Sequence, residues 1–222
     1  MLYLFIIIVI VVALLYDLYN LNDIRYCIKK YNTDEIYEFP NLLNNNECDK
    51  IIELSKNKIE RSKVVGESDE ISEVRTSHNT FLDDNSNPLL NDINQRIKNI
   101  INIDTNKYED LQVVHYDKEQ FYKEHWDACD PKEDDNCIRD YKRGGLRFAT
   151  FIIYLNDDMQ GGETNFPLIN KKIKPEKGKG VLFFNLDDDL LHIKKNSKHA
   201  GLPPSSGEKW MCNKWIRLYN FK

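Results

Sequence analysis

Four short runs in the second half of the chain limit what it can fold into: LQVVHY at 111–116, LRFATFIIYL at 146–155, GVLFFNL at 180–186 and KWMCNKWIRLY at 209–219. Each is rich in β-branched and aromatic residues, and clusters of Gly, Asn, Asp and Pro separate them, which is the signature of strands joined by turns. No helical pattern intervenes as a βαβ sheet would need, so the runs predict an antiparallel sandwich or barrel. The first half reads differently. NNECDKIIELSKNKIE predicts a helix with Asn46 as N-cap and Asp49 three residues on, and Leu90, Ile93, Ile97 and Ile100 recur at helical spacing from Pro88 to about Asn102. Both apolar stripes read as core. The fold class is therefore α+β, mainly β, in one folded unit, since 222 residues build one substantial core and are few for two.

The N-terminus departs from this texture. MLYLFIIIVIVVALLY carries no charge before Asp17, a length marginal for a spanning helix of roughly 20 apolar residues unless Leu18, Tyr19 and Leu21 extend it. A cleaved signal peptide fits less well, because no basic region precedes the run and no small-x-small site follows it. The chain is expected to divide into a transmembrane signal anchor over 1–19, a polar linker over 20–37 and a catalytic-type domain over 38–222. Arg25, Lys29 and Lys30 follow the anchor and favour holding that side in the cytosol.

The chain holds 31 Lys+Arg against 36 Asp+Glu, a net charge of −5 with the signs mixed, so no basic field recommends nucleic acid. Five cysteines, Cys27, Cys48, Cys129, Cys137 and Cys212, contain no CxxC pair and so no zinc site of the usual spacing. Cys129 and Cys137 bracket an acidic loop; a disulfide and two free thiols are both compatible with the sequence there.

Within YKEHWDACDP, His125 and Asp127 stand two apart, and residues at i and i+2 of a strand share a face. An imidazole and a carboxylate thus point to one spot, while Trp126 turns away toward the core. The chain offers four further histidines, His78, His115, His192 and His199. After His199 the sequence turns through AGLPPSSGE into a strand carrying Lys209, Met211, Asn213, Trp215 and Arg217 on one face. A lysine aimed into a β-rich pocket is costly unless it meets an anion.

HxD, then a distant His followed by Lys, resembles the iron and 2-oxoglutarate dependent dioxygenases, and the surrounding text is similar to the catalytic domain of prolyl 4-hydroxylases. The matching stretches are LQVVHYDKEQFYKEHWD, LRFATFIIYLNDDMQGGETNFP, IKPEKGKGVLFFN and KHAGLPPSSGEKWMCNKWIR, with a weaker match in FPNLLNNNECDKII and VRTSHNTFL. The resemblance implies a double-stranded β-helix (jelly-roll) flanked by N-terminal helices. It implies Fe(2+) held by His125, Asp127 and His199, which is the two-imidazole, one-carboxylate set of non-haem oxygenases. It further implies 2-oxoglutarate anchored by Lys209 with Thr150, Tyr116 lining the same pocket, and L-ascorbate as reductant. Tyr122, Arg147 and Trp215 match positions near a groove for a proline-rich or collagen-like peptide, whose prolines become 4-hydroxyproline as 2-oxoglutarate yields succinate and CO2. Lys118, Glu119 and Gln120 stand where the family commonly has Pro-Gly before the glutamine, and the acidic segment between Asp127 and Arg147 is this chain's own. No disulfide isomerase subunit is expected. A single-pass protein with its domain in the endoplasmic reticulum lumen, or in a host membrane or virion if the source is viral, completes the expectation.

Overall fold

The computed structural model describes residues 20–62, 73–130 and 135–221, with isolated positions at 6, 7, 9, 11 and 12. Most of the expected anchor over 1–19 lies outside the described residues. Among those described, no helix is long and apolar enough to cross a membrane.

Helices occupy the first half. α1 (Asn22–Lys30) falls in the stretch expected as linker, yet Ile24 and Cys27 are fully buried on it. Its apolar stripe is only two residues wide inside a polar run, which is why composition hid it. After β1 (Tyr37–Phe39), α2 spans Asn45–Lys56. Its cap is Asn44 rather than Asn46: the Asn44 side chain accepts from Glu47 N at 3.0 Å and the Glu47 carboxylate accepts from Asn44 N at 2.8 Å. This reciprocal pair satisfies two donors that a helix start leaves open. Past β2 (Glu60–Arg61) and β3 (His78–Leu82), α3 runs over Pro88–Ile101, starts with Pro88 in its first turn and ends at Asn102 in a left-handed conformation.

Strands dominate from there: β4 (Leu111–Tyr116), β5 (Tyr122–His125), then after α4 (Asp135–Tyr141) β6 (Arg147–Tyr154), β7 (Gln160–Gly161), β8 (Thr164–Phe166), β9 (Lys171–Ile173), β10 (Gly180–Phe184), β11 (His199–Gly201), β12 (Pro204–Ser206) and β13 (Lys209–Arg217). They form a seven-stranded sheet in the order β1-β10-β6-β13-β4-β3-β2, a four-stranded sheet β5-β11-β8-β9 and the pair β12-β7, antiparallel throughout.

Alternation along the central strands sorts the core into two layers. Val113, Phe151, Ile153, Leu182, Cys212 and Ile216 face the helices and pack on Ile24, Ile51, Ile93 and Ile97. Their neighbours Val114, Tyr116, Ile152, Tyr154, Val181, Phe183 and Met211 face Phe166 and Ile173 of the smaller sheet. The result is a jelly-roll with helices backing its larger sheet, as expected. The gap between the two sheets holds the site.

One departure noted in the sequence has a structural answer. Asp117 to Gln120 form a turn closed by Gln120 N donating to Asp117 O at 3.0 Å, and Glu119 sits there at φ 67°. Glycine is the natural occupant of that third turn position. The chain keeps the turn and accepts a side chain in the left-handed region.

Candidate active site

His125 ends β5 and His199 begins β11, and the two are direct cross-strand partners. Their rings stand 4.3 Å apart between centroids. Asp127 is not in the strand, contrary to the expectation that His125 and Asp127 share one extended segment: β5 stops at His125 and the chain bends. Thr150 captures the carboxylate in that bent position, its hydroxyl donating to Asp127 Oδ2 at 2.7 Å while accepting from Asn185 Nδ2 at 2.8 Å. Asp127 Oδ1 lies 3.7 Å from His125 Nε2, and Asp127 Oδ2 lies 3.9 Å from His199 Nε2. One ligand atom from each residue falls within 4.8 Å of the others.

The tautomers suit ligation. His125 Nδ1 donates to Lys123 O at 2.8 Å and His199 Nδ1 donates to Ser197 O at 2.9 Å, which leaves both Nε2 lone pairs free. Burial, then the neighbouring His199, holds the His125 pKa down near 3, so its imidazole is neutral at physiological pH. For Asp127, burial works to raise the carboxyl, but His199, His125 and Arg147 outweigh it and hold it at about 2. Two imidazoles and a carboxylate around one point fit a non-haem iron(II) ion.

The other end of the gap is set by Lys209, the first residue of β13. It is fully buried, its Nζ has no hydrogen-bond partner among the described residues, and burial pushes its pKa down to about 7. The ammonium lies 5.1 Å over the Tyr116 ring and 5.6 Å over that of Tyr154. A cation left this way in a dry cavity is balanced only when an anion enters. Gly201, two residues along β11 from His199, faces the Tyr116 hydroxyl so closely that a Cβ there would stand 3.0 Å from it. Lacking one keeps open the space between metal triad and lysine. The arrangement fits 2-oxoglutarate: a chelating keto acid at the triad, a second carboxylate at Lys209.

Thr150 does not assist Lys209 as the sequence suggested. It pairs with Trp215, six residues along β13 from Lys209, and belongs to the Asp127 end. The hydroxyl at the lysine end is that of Thr164, which accepts from the Tyr154 hydroxyl at 2.7 Å and pairs with Gly201. Strand register separates the two threonines, and the sequence gives no register.

A cleft of about 910 Å³ opens beside the triad, lined among others by Tyr122, Trp126, Arg147 and Trp215. Tyr122 stacks on His125 at 3.6 Å, and the Arg75 guanidinium lies over the Tyr122 ring at 4.7 Å. Arg147 grips Glu109 with two bonds of 2.6 and 2.9 Å and lies 3.6 Å over the Trp215 ring. Its charge is committed to Glu109, so it holds Trp215 in place as much as it faces the cleft. Trp126 does turn from the triad, but not into the core: it is 41% exposed, with Lys198 over its ring and its indole N–H on Lys195 O at 3.3 Å. Cys129 and Cys137 form a disulfide that closes the cleft wall next to Asp127. His192 is a surface residue bonded to Asp189.

Comparison with known proteins agrees with this geometry. Residues 111–217 match the sequence profile of the 2OG-Fe(II) oxygenase superfamily. A protein of Acanthamoeba polyphaga mimivirus is 36% identical over 194 residues, covering 86% of this chain and 78% of its own length. Prolyl 4-hydroxylase 2 of Arabidopsis thaliana is 34% identical over 210 residues, covering 83% and 68%. The crystal structure of the viral collagen prolyl hydroxylase of Paramecium Bursaria Chlorella virus-1, in complex with 2OG, superposes with a TM-score of 0.65 at 31% identity, over 82% of this chain and 95% of that one. The chain belongs to the prolyl 4-hydroxylase family of the 2OG-Fe(II) oxygenases.

Proposed function

We propose that the chain hydroxylates C4 of proline in extended, proline-rich or collagen-like peptides, one O2 and one 2-oxoglutarate giving hydroxyproline, succinate and CO2. The observation that carries this reading is the pairing of a two-histidine, one-carboxylate triad with an unpartnered buried lysine across a single gap.

Iron with its cosubstrate supplies the oxidising chemistry when bound. The chain's own residues do the rest. Lys123 O and Ser197 O fix the imidazoles, and Thr150 fixes Asp127, so the three ligands are positioned before metal arrives. Lys209 sets which way round the dicarboxylate lies. Tyr122, Trp215 and Trp126 give the cleft the aromatic walls on which polyproline II segments dock, because such segments need no internal hydrogen bonds and offer flat rings.

The test is turnover with Fe(II), ascorbate as reductant and 2-oxoglutarate on a library of proline-rich peptides, read by mass spectrometry. One added oxygen per proline is expected; oxidation confined to lysine or another side chain refutes the prolyl assignment. His199→Ala is expected to abolish turnover and His192→Ala to leave it intact.

Residues 1–19 tether the domain to a membrane in this proposal, with the domain on the oxidising side, where the Cys129–Cys137 bridge persists. The basic residues after the anchor pull toward the opposite orientation. Protease protection in sealed vesicles decides: a domain digested without detergent places it in the cytosol. The activity needs no disulfide isomerase subunit, which purified chain alone in the same assay checks.

A further inference from the structure

The chain carries HxD twice. His125-Trp126-Asp127 belongs to the site above; His115-Tyr116-Asp117 stands ten residues earlier and is not part of it. Each motif also has a second histidine directly across a strand pair, His199 opposite His125 and His78 opposite His115. Among the described residues these are the two groups in which three metal-binding side chains bring one ligand atom each within 4.8 Å of one another.

The second group lies behind the first. Tyr116 and Lys209 face the gap between the sheets, whereas His115 and its partner Trp210 face the helix side, their rings 4.2 Å apart. A fourth donor is at hand, since Glu208 Oε2 lies 2.7 Å from His115 Nε2 and Asp117 Oδ1 lies 3.9 Å from the same nitrogen. His78 adds an independent sign: its Nδ1 is buried and has no hydrogen-bond partner among the described residues. Buried polar atoms are nearly always paired, so an unpaired imidazole nitrogen next to another histidine and a carboxylate asks for an explanation.

We propose that His78, His115 and Asp117, with Glu208 completing the shell, form a second divalent metal site, one suited to zinc. Two imidazoles and two carboxylates give the four N and O donors of a closed tetrahedral zinc shell; three of the ligand atoms already lie within 4.8 Å of one another, and the exposed Glu208 side chain turns in from its place on His115 to reach bonds of about 2.0–2.2 Å. The set lacks the open positions and the dry, anion-seeking lysine of the iron site, so its role is structural. An ion there ties β3 to β4 and to the end of the Glu208 turn. That is the wall directly behind Lys209 and Tyr116.

Equilibrium dialysis of the metal-free full chain against Zn2+ at neutral pH tests it. Wild type is expected to bind two equivalents, His125→Ala/His199→Ala to keep one, and His78→Ala/His115→Ala to keep one. Asp117→Asn, at a position 59% exposed and outside the core, guards against a variant that misfolds: it is expected to weaken one equivalent at least tenfold while thermal unfolding of the metal-free protein stays unchanged. Co2+ in place of zinc should give tetrahedral absorption bands that survive His125→Ala/His199→Ala and vanish in His78→Ala/His115→Ala. A single equivalent in wild type, lost with His125 and His199, overturns the proposal and leaves His115 as the ion-pair partner of Glu208. Two equivalents that both persist in His78→Ala/His115→Ala overturn it as well.

Discussion

β13 buries a lysine at its start and another in its middle, and treats them in opposite ways. Lys214 faces the helix layer, where its Nζ donates to both Asp84 oxygens at 2.8 and 2.6 Å and to Glu109 O at 2.8 Å. Burial lowers its pKa and Asp84 works against that. Lys209, five residues earlier on the opposite face, is as deeply buried and has no such partner. Same residue type, same strand, same burial: what separates them is whether the fold supplies the counter-charge. Where it does, the lysine is a structural tie. Where it does not, the missing anion is the ligand.

The largest effect expected from breaking this contrast is at Lys209. Removing one partner of a buried pair costs about 3–5 kcal/mol, so Lys209→Met should weaken 2-oxoglutarate binding by about 10²- to 10⁴-fold. The same variant should raise the melting temperature of the metal-free protein, because an unpaired buried cation is gone and an apolar side chain of similar length replaces it. A drop in melting temperature would mean that Lys209 has a partner after all. Lys214→Met should do the reverse. Orphaning Asp84 costs stability by a similar amount in denaturant titration, with 2-oxoglutarate affinity of the remaining folded protein unchanged; a comparable loss of affinity would dissolve the distinction.

The next effect is on pH dependence. With its folded pKa near 7, below the usual lysine value of 10.5, Lys209 makes the free protein more stable as pH rises through that interval, since the cost of burying its charge disappears. A bound dicarboxylate favours the charged form, so binding takes up a proton above pH 7. Affinity should be flat below pH about 7 and fall by up to about tenfold per unit above it. Calorimetry in buffers of different ionisation enthalpy would read the proton directly, and an affinity independent of pH in wild type, as expected for Lys209→Met, defeats the assignment.

How much of this was legible beforehand depended on whether the signal was local. The β-branched and aromatic runs marked β4, β6, β10 and β13, all strands of the larger sheet, and the spacing of Leu90, Ile93 and Ile97 marked α3, because each pattern is complete within one segment. The metal triad was legible through the family resemblance of its motifs. What escaped depended on register or long-range packing. Thr150 was placed with Lys209 through the family resemblance, but six residues of register put it at Asp127. Trp126 was expected in the core by alternation, yet the strand ends one residue before it. Thr164 and the Lys214–Asp84 tie join segments far apart in the chain, and nothing local announces them.

The smallest effect comes from removing both partners of the structural pair. In Lys214→Met/Asp84→Asn neither charge remains to be stranded, and the asparagine oxygen can keep the shorter of two bonds now made to Asp84, that from Asn94 Nδ2 at 2.6 Å, while its NH2 replaces the oxygen that accepts from Leu111 N at 3.3 Å. What is lost is the ammonium's bond to Glu109 O, the long bond from Leu111 N and the strength that a charged acceptor lends to the one that stays. The double variant should therefore be less stable than wild type by only about 1 kcal/mol, and more stable than Lys214→Met alone, since replacing a whole buried pair is far milder than halving it. The coupling in this double-mutant cycle is the measure of how fully Asp84 neutralises Lys214. Losses that simply add would show that the pair is not coupled, and that burial without a working counter-charge is tolerated at both lysines of β13.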